Sequence, residues 1–120
     1  MKKKVDGRRA LKSAQLLRVF IGEGDRWEGR PLYQAIVEAA RKEGLAGASV
    51  FKGFMGYGRN SEMHTASLLR LSEDLPIVVE IVDEAPKLAR FLRHVDRMMS
   101  DGLVTIEKAR VLLHRSRDGR

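Results

Sequence analysis

Apolar positions along this chain follow two periods, and the switches between them mark out its elements. From Ala14 to Ile21 the run is close to continuously apolar, with Leu16, Leu17, Val19, Phe20 and Ile21 interrupted by Arg18 and cut off at Gly22, which predicts a strand. Beyond a turn over residues 22–30 the period changes. Leu32, Ala35, Ile36, Ala39 and Ala40 recur at helical spacing, Pro31 suits the first turn, Arg41 to Glu43 form a polar end, and Gly44 stops the helix as its cap. Ser49 to Met55 reads as a second strand. Ala66 to Leu71 reads as a moderate strand or loop extension. Ile77 to Val82, Ile-Val-Val-Glu-Ile-Val, is the strongest strand in the chain and belongs in the middle of a sheet. Asp83 is placed to cap the next helix, with Glu84 and Pro86 in its first turn. Leu88, Phe91, Leu92, Val95, Met98 and Met99 give that helix one apolar face, and Asp101-Gly102 ends it. Val104 to Leu112 alternates poorly and is expected as an edge strand.

The order strand, helix, strand, strand, helix, strand is that of an α+β, ferredoxin-like βαββαβ sandwich, an antiparallel sheet with two helices on one face. Side chains alternate across a sheet, so Leu17, Val19, Ile21, Ile77, Val79 and Ile81 share the helix-covered face. The other parity holds Leu16, Phe20, Val78 and Val82, with only Arg18 and Glu80 among them. An open face that apolar is a patch that normally finds a partner. A homo-oligomer burying it, with Arg18 and Glu80 paired across the face, is the expectation.

Composition confines the chain to one domain. It has 120 residues, 43% hydrophobic and 32% charged, with no apolar run long enough to span a membrane. The excess charge of +7 is confined to the ends: residues 1–13 hold six basic residues against one acid, and residues 115–120 three against one. Residues 14–114 are neutral overall, which argues for solvated, disordered basic tails flanking a globular domain and against a specific nucleic-acid surface. There is no signal-peptide pattern and no cysteine, so disulfides, thiolate metal sites and thiol catalysis drop out and a cytoplasmic location is expected.

The stretch that carries function is Val50 to Asn60, Val-Phe-Lys-Gly-Phe-Met-Gly-Tyr-Gly-Arg-Asn, where a strand breaks into alternating glycines and runs into a polar segment ending near Thr65. Gly53, Gly56 and Gly58 each remove a side chain, which lets a ligand or a second chain come close to the backbone. Together with Gly22-Glu23, Gly29-Arg30-Pro31-Leu32, the stretch Leu75 to Asp83 and Asp101-Gly102-Leu103-Val104, this segment resembles the PII-like proteins. It is closer still to the PII-like family labelled domain of unknown function 190, over about Leu16 to Leu113. The resemblance implies a homotrimer with its sheets facing inward and three clefts between subunits, which in PII proteins bind adenine nucleotides. It also implies that Gly56, Gly58, Arg59 and Asn60 open the effector loop and line the cleft, and that Asp101-Gly102 is what remains of a Gly-Asp-Gly-Lys turn. Leu103 stands where that turn carries its phosphate-binding lysine, and Arg115 and Arg117 stand where a basic pair follows the last strand. The implied ligand is therefore a small anion, either a nucleotide or another anionic metabolite.

Other chemistries find less support in the residues. A hydrolase of the acylphosphatase kind would need a fixed arginine and a water-orienting amide, and Arg26 or Arg30 with Asn60 come from loops that no motif fixes. His64, His94 and His114 stand apart and read as surface histidines, with only Glu62 and His64 able to share a strand face, so no metal and no cofactor is implied. Lys52-Gly53-Phe54 imitates the start of an RNA-binding RNP1 motif but continues with Met55 and Gly56 and lies on the second strand instead of the third. Trp27 reads as a packed loop anchor. The sequence thus points to a non-enzymatic signalling and regulatory protein presenting a glycine-rich loop to a partner. A purely structural oligomer and an RNA-binding module are the alternatives.

Overall fold

In the computed structural model, residues 13–58 and 74–117 are described in full, and the backbone also at 4–5, 8–9 and 64–65. The main sheet has four strands: β1 (Ala14–Gly22), β2 (Ser49–Lys52), β3 (Pro76–Glu84) and β4 (Leu103–Lys108). Helix α1 (Leu32–Lys42) lies between β1 and β2, and α2 (Ala85–Met98) between β3 and β4. The sheet order is β4-β1-β3-β2 with every pair antiparallel. This is the βαββαβ arrangement expected from the periodicity.

The two apolar runs form the centre of the sheet because each is apolar at both parities, and β1 and β3 pair along their full lengths from Ala14↔Glu84 to Gly22↔Pro76. Leu17, Val19, Ile21, Ile77, Val79 and Ile81 all turn toward the helices and are buried. There they meet Leu32 and Ile36 of α1 and Leu88, Phe91 and Val95 of α2 in one continuous core. Phe91 is fully enclosed, and burying a side chain of that size contributes about 1.5–3 kcal/mol.

Several boundaries differ from the expectation for identifiable reasons. Asp83 does not cap α2. It has the parity of Ile77, Val79 and Ile81, so its carboxylate is wholly buried, accepting hydrogen bonds from the backbone N–H of Ala46 at 2.9 Å and of Glu84 at 2.7 Å. Glu84 is the last residue of β3 and the N-cap position of α2, with extended backbone and no side-chain capping bond, so α2 has no acid in its first turn. Pro31 likewise holds the N-cap position of α1, one residue ahead of the first turn. Helix α2 stops at Met98, before Asp101-Gly102. β4 begins at Leu103 and stops at Lys108, four residues short of Leu112, because its partner begins at Ala14, whose carbonyl takes the final bond from Ala109 N–H at 3.0 Å. The second strand ends at Lys52, and Met55–Gly56 forms a separate two-residue ladder with His64–Thr65.

The turn after β1 is more ordered than its composition suggests. Arg26–Trp27 pairs with Arg30–Pro31 across a two-residue turn whose Glu28 and Gly29 have φ of 49° and 81°, the type I′ pattern of tight hairpins. Trp27 packs against the core, as an anchor should. The predicted element at Ala66 to Leu71 lies outside the described residues, as does most of the basic N-terminal segment. Of that segment, the backbone of Lys4–Val5 pairs with Arg8–Arg9.

Candidate functional site

The glycine-rich segment leaves the sheet at the end of β2, and its base is fastened to the turn after β1. Gly53 N–H donates to the Pro76 carbonyl at 2.8 Å, and Glu23 N–H donates to that of Leu75 at 2.7 Å. The Glu23 carboxylate holds the Lys52 ammonium at 2.7 Å, and Gly24 N–H donates to the Asp74 carboxylate. Both ends of the segment between Lys52 and Asp74 are thus tied to residues 23–24. The sequence places Gly22-Glu23 at the start of a turn and within the resemblance, without this tie to residues 52–75. The signal for its role is the density of glycine and carboxylate in Gly22-Glu23-Gly24-Asp25.

The glycines divide by function. A Cβ on Gly53 would lie 2.8 Å from Pro76 Cγ, and one on Gly56 would lie 3.0 Å from the same atom, so these two let the strand cross the proline ring. Gly58 has nothing within 4 Å of a built Cβ. Its backbone faces open space, the condition for a ligand's approach. Phe54, Met55 and Tyr57 beside it are exposed apolar side chains. Arg59 and Asn60 lie outside the described residues.

Asp101 and Gly102 form the tight entry to β4. The Asp101 carboxylate accepts from Gly102 N–H at 2.8 Å, and Gly102 has a φ of 123° with the Phe20 carbonyl oxygen 2.6 Å from where a Cβ would stand. Gly56 and Gly58 leave from β2, Asp101 and Gly102 enter β4, and both sit at the same end of the sheet. They lie at opposite edges, three strand spacings or roughly 14 Å apart. Within one chain these two candidate elements do not meet. Arg115 and Arg117 are exposed and follow β4 off the other end of the sheet.

The open sheet face carries an apolar row across all four strands, Leu103, Phe20, Val78 and Phe51 in register. Leu103 and Phe51 are 57% and 53% exposed, too much for side chains of that size to be explained by the core of a single chain. Beside this row Arg18 is paired twice, its Nε at 2.8 Å from Glu80 and its Nη1 at 2.7 Å from Glu107. The expected Arg18–Glu80 pair is present, and Glu107 joins it from β4. Hydrogen bonds to Glu80 and then Glu107 raise the Arg18 pKa, overcoming a smaller desolvation effect. A raised guanidinium contributes stability that is fully present below its unfolded value and lost only as pH rises through the folded one, so across neutral pH Arg18 is a fixed charge.

The residues nominated for other chemistries are engaged locally. Arg26 bonds the Gly29 carbonyl of its own hairpin, and Arg30 pairs with Glu38. His94 is half-buried, 3.3 Å from Glu43 and stacked at a tilt on Phe91, and His114 is half-buried too, so neither is a simple surface histidine. No group of three His, Cys, Asp or Glu among the described residues could hold a metal ion, and no helix among them is long and apolar enough to cross a membrane.

A β4-β1-β3-β2 antiparallel sheet with two helices on one face is a ferredoxin-like fold of the PII-like type. Sequence comparison narrows the class: the chain belongs to the DUF190 family, described as an uncharacterized ACR, whose profile it matches over residues 14–111. A UPF0166 protein of Aquifex aeolicus (strain VF5) is 41% identical over 98 residues, covering 82% of this chain and 92% of the relative. A UPF0166 protein of Methanocaldococcus jannaschii is 33% identical over 99 residues, covering 82% and 91%. Among solved structures, CPII, a nitrogen regulatory PII-like protein from Thiomonas intermedia K12 bound to ADP, AMP and bicarbonate, superposes with a TM-score of 0.63. That likeness covers 82% of this chain and 87% of the other at 13% identity, which is a statement about fold.

Proposed function

We propose that this chain is a non-enzymatic PII-like regulator. It works as a homotrimer that binds a small anionic ligand at clefts between subunits and presents the glycine-rich segment to a partner protein. The observation that carries the reading is the open sheet face. The row Leu103, Phe20, Val78 and Phe51 needs a cover, and a second copy of the same sheet supplies one of matching chemistry. Closing a ring through that face sets the β2 edge of one copy beside the β4 edge of the next. Gly56 and Gly58 of one subunit then approach Asp101 and Gly102 of its neighbour.

Such a cleft offers backbone N–H groups and the Arg59 guanidinium to an anion, a donor-rich setting suited to phosphate or carboxylate. Adenine nucleotides and bicarbonate are the first ligands to try, because the structurally similar CPII holds them. With Leu103 at the entry to β4, no lysine is present there to meet a terminal phosphate, which favours ligands of lower charge such as AMP and bicarbonate over a triphosphate. An RNA-binding sheet is disfavoured by the face itself, where Glu80 and Glu107 outnumber Arg18. The reading is tested by calorimetric titration of the purified protein with AMP, ADP, ATP, bicarbonate and acetate. Saturable heat from at least one anion is expected, weakened in Gly58→Val of the same protein, where a side chain enters the approach path. Silence from all five favours a structural oligomer without a ligand.

A further inference from the structure

The helix layer, on the other side of the sheet from the proposed assembly face, carries a groove of about 310 Å³ between α1 and α2. Its size is at the small end of the range of ligand pockets, roughly 300–1,000 Å³. The groove exists because α1 places alanines at 35 and 39, one turn apart on the face toward α2, where larger side chains would fill the space. Trp27 forms one wall and Met98 of α2 another. Trp27 is a rigid wall, fixed by the type I′ hairpin on its backbone and by packing against the core.

Charge around the rim is sorted. The hairpin pairs Trp27 with Arg30, and Arg30 reaches across to Glu38. On the other side His94 lies 3.3 Å from Glu43. Both carboxylates of the groove therefore already have a partner, Glu38 in Arg30 and Glu43 in the His94 imidazole. Lys42 and Arg97, which line the same groove from the last turns of α1 and α2, pair with no carboxylate among the described residues. The groove thus has a flat aromatic wall, a thioether, a floor of small apolar side chains and, from different helices, the Lys42 and Arg97 cations, which form no ion pair among the described residues.

We infer that this groove is a second binding site, independent of the clefts between subunits, for a small monoanion with a flat apolar body, an aromatic carboxylate in chemical class. The body lies against the Trp27 indole and the Met98 sulfur, both of which favour aromatic partners. The carboxylate meets Lys42 and Arg97, whose two-sided approach suits a planar bidentate anion better than a point charge. An assembly built through the open sheet face leaves the groove accessible. Occupancy here bridges α1 and α2, the two elements that lead into β2 and β4.

Trp27 is the only tryptophan in the chain, so its emission reports on the groove directly. The probe is benzoate, with benzyl alcohol supplying the ring without the charge and acetate the charge without the ring. Benzoate is expected to change Trp27 emission saturably, half-saturating at roughly millimolar concentration or below for so small a ligand. Benzyl alcohol and acetate should bind at least about tenfold more weakly. The double substitution Lys42→Ala, Arg97→Ala should weaken benzoate by tenfold or more, and Ala39→Leu should fill the groove and abolish the response. Arg41→Ala, which removes the other cation from the last turn of α1 outside the groove, should leave it unchanged. The proposal is overturned if benzoate gives no saturable change, if benzyl alcohol binds as well, or if Arg41→Ala weakens binding as much as the double substitution does.

Discussion

At Gly102 the backbone stands at a φ of 123° with the Phe20 carbonyl oxygen and Met99 Cε each 2.6 Å from a built Cβ. Replacing it by alanine combines a disfavoured backbone conformation with a clash against a fixed main-chain atom, and Gly102→Ala is expected to cost about 1–3 kcal/mol. Gly58→Ala, with open space around it and no positive φ, should stay within about 0.5 kcal/mol. Urea midpoints of the two variants check this, and equal midpoints would contradict the geometry. Arg18 poses a different question, because it is one third exposed in a single chain yet sits beside the apolar row. Exposed pairs contribute little, whereas breaking a pair buried in an interface is strongly unfavourable. Arg18→Met should therefore leave the chain folded while shifting assembly by tenfold or more in sedimentation, since Glu80 and Glu107 would be left facing each other without a cation. Replacing Glu80 and Glu107 by glutamine in the same chain should recover much of the loss. If assembly is indifferent to Arg18, the triad does not lie in the interface.

Among the elements, the glycine-rich segment carries the functional claim. Its base is tied by Gly53 N–H to Pro76 and by Lys52 to Glu23, while Gly58 lies beyond those ties in open space. Ordering such a segment costs entropy, so a ligand closes it only by binding the closed form better. Backbone amides around Tyr57 and Gly58 should exchange quickly in the free protein and more slowly with the anion found by calorimetry. Gly58→Val should remove that protection without dissolving the assembly. Protection that persists in the variant would place the ligand elsewhere. How far these elements were legible follows from what each depends on. β1 and β3 announce themselves because both of their faces are apolar, and the buried parity follows from counting residues. Asp83 looks like a helix cap because it stands three residues before Pro86. Its role instead follows from parity and from Ala46, 37 residues away, which no local pattern supplies. The hairpin at Trp27 is obscured because glutamate is an uncommon choice for a positive φ at the first turn position. The groove between the helices depends on how α1 and α2 pack, and Ala35 and Ala39 read from sequence alone as ordinary core positions.

On the scale of the whole molecule, the two edges of one sheet separate the parts of the proposed site. Gly56 and Gly58 leave one edge, Asp101 and Gly102 enter the other, and the sheet's width keeps them apart. The sequence resemblance names these segments together, and the strand order shows that they lie at opposite edges of one sheet, so under the proposed assembly they meet only by way of a second copy. The same order carries the apolar row from Leu103 to Phe51 across the full open face, so in the proposed trimer covering the face and completing the cleft are one event. The central claim is therefore most directly tested by the mass of the protein in solution, measured by light scattering at micromolar concentration. The account predicts about three times the 13.5 kDa chain mass, falling to the single chain in Phe20→Asp, which places an unpaired charge in the apolar row. A stable 13.5 kDa species for the unaltered chain would contradict it.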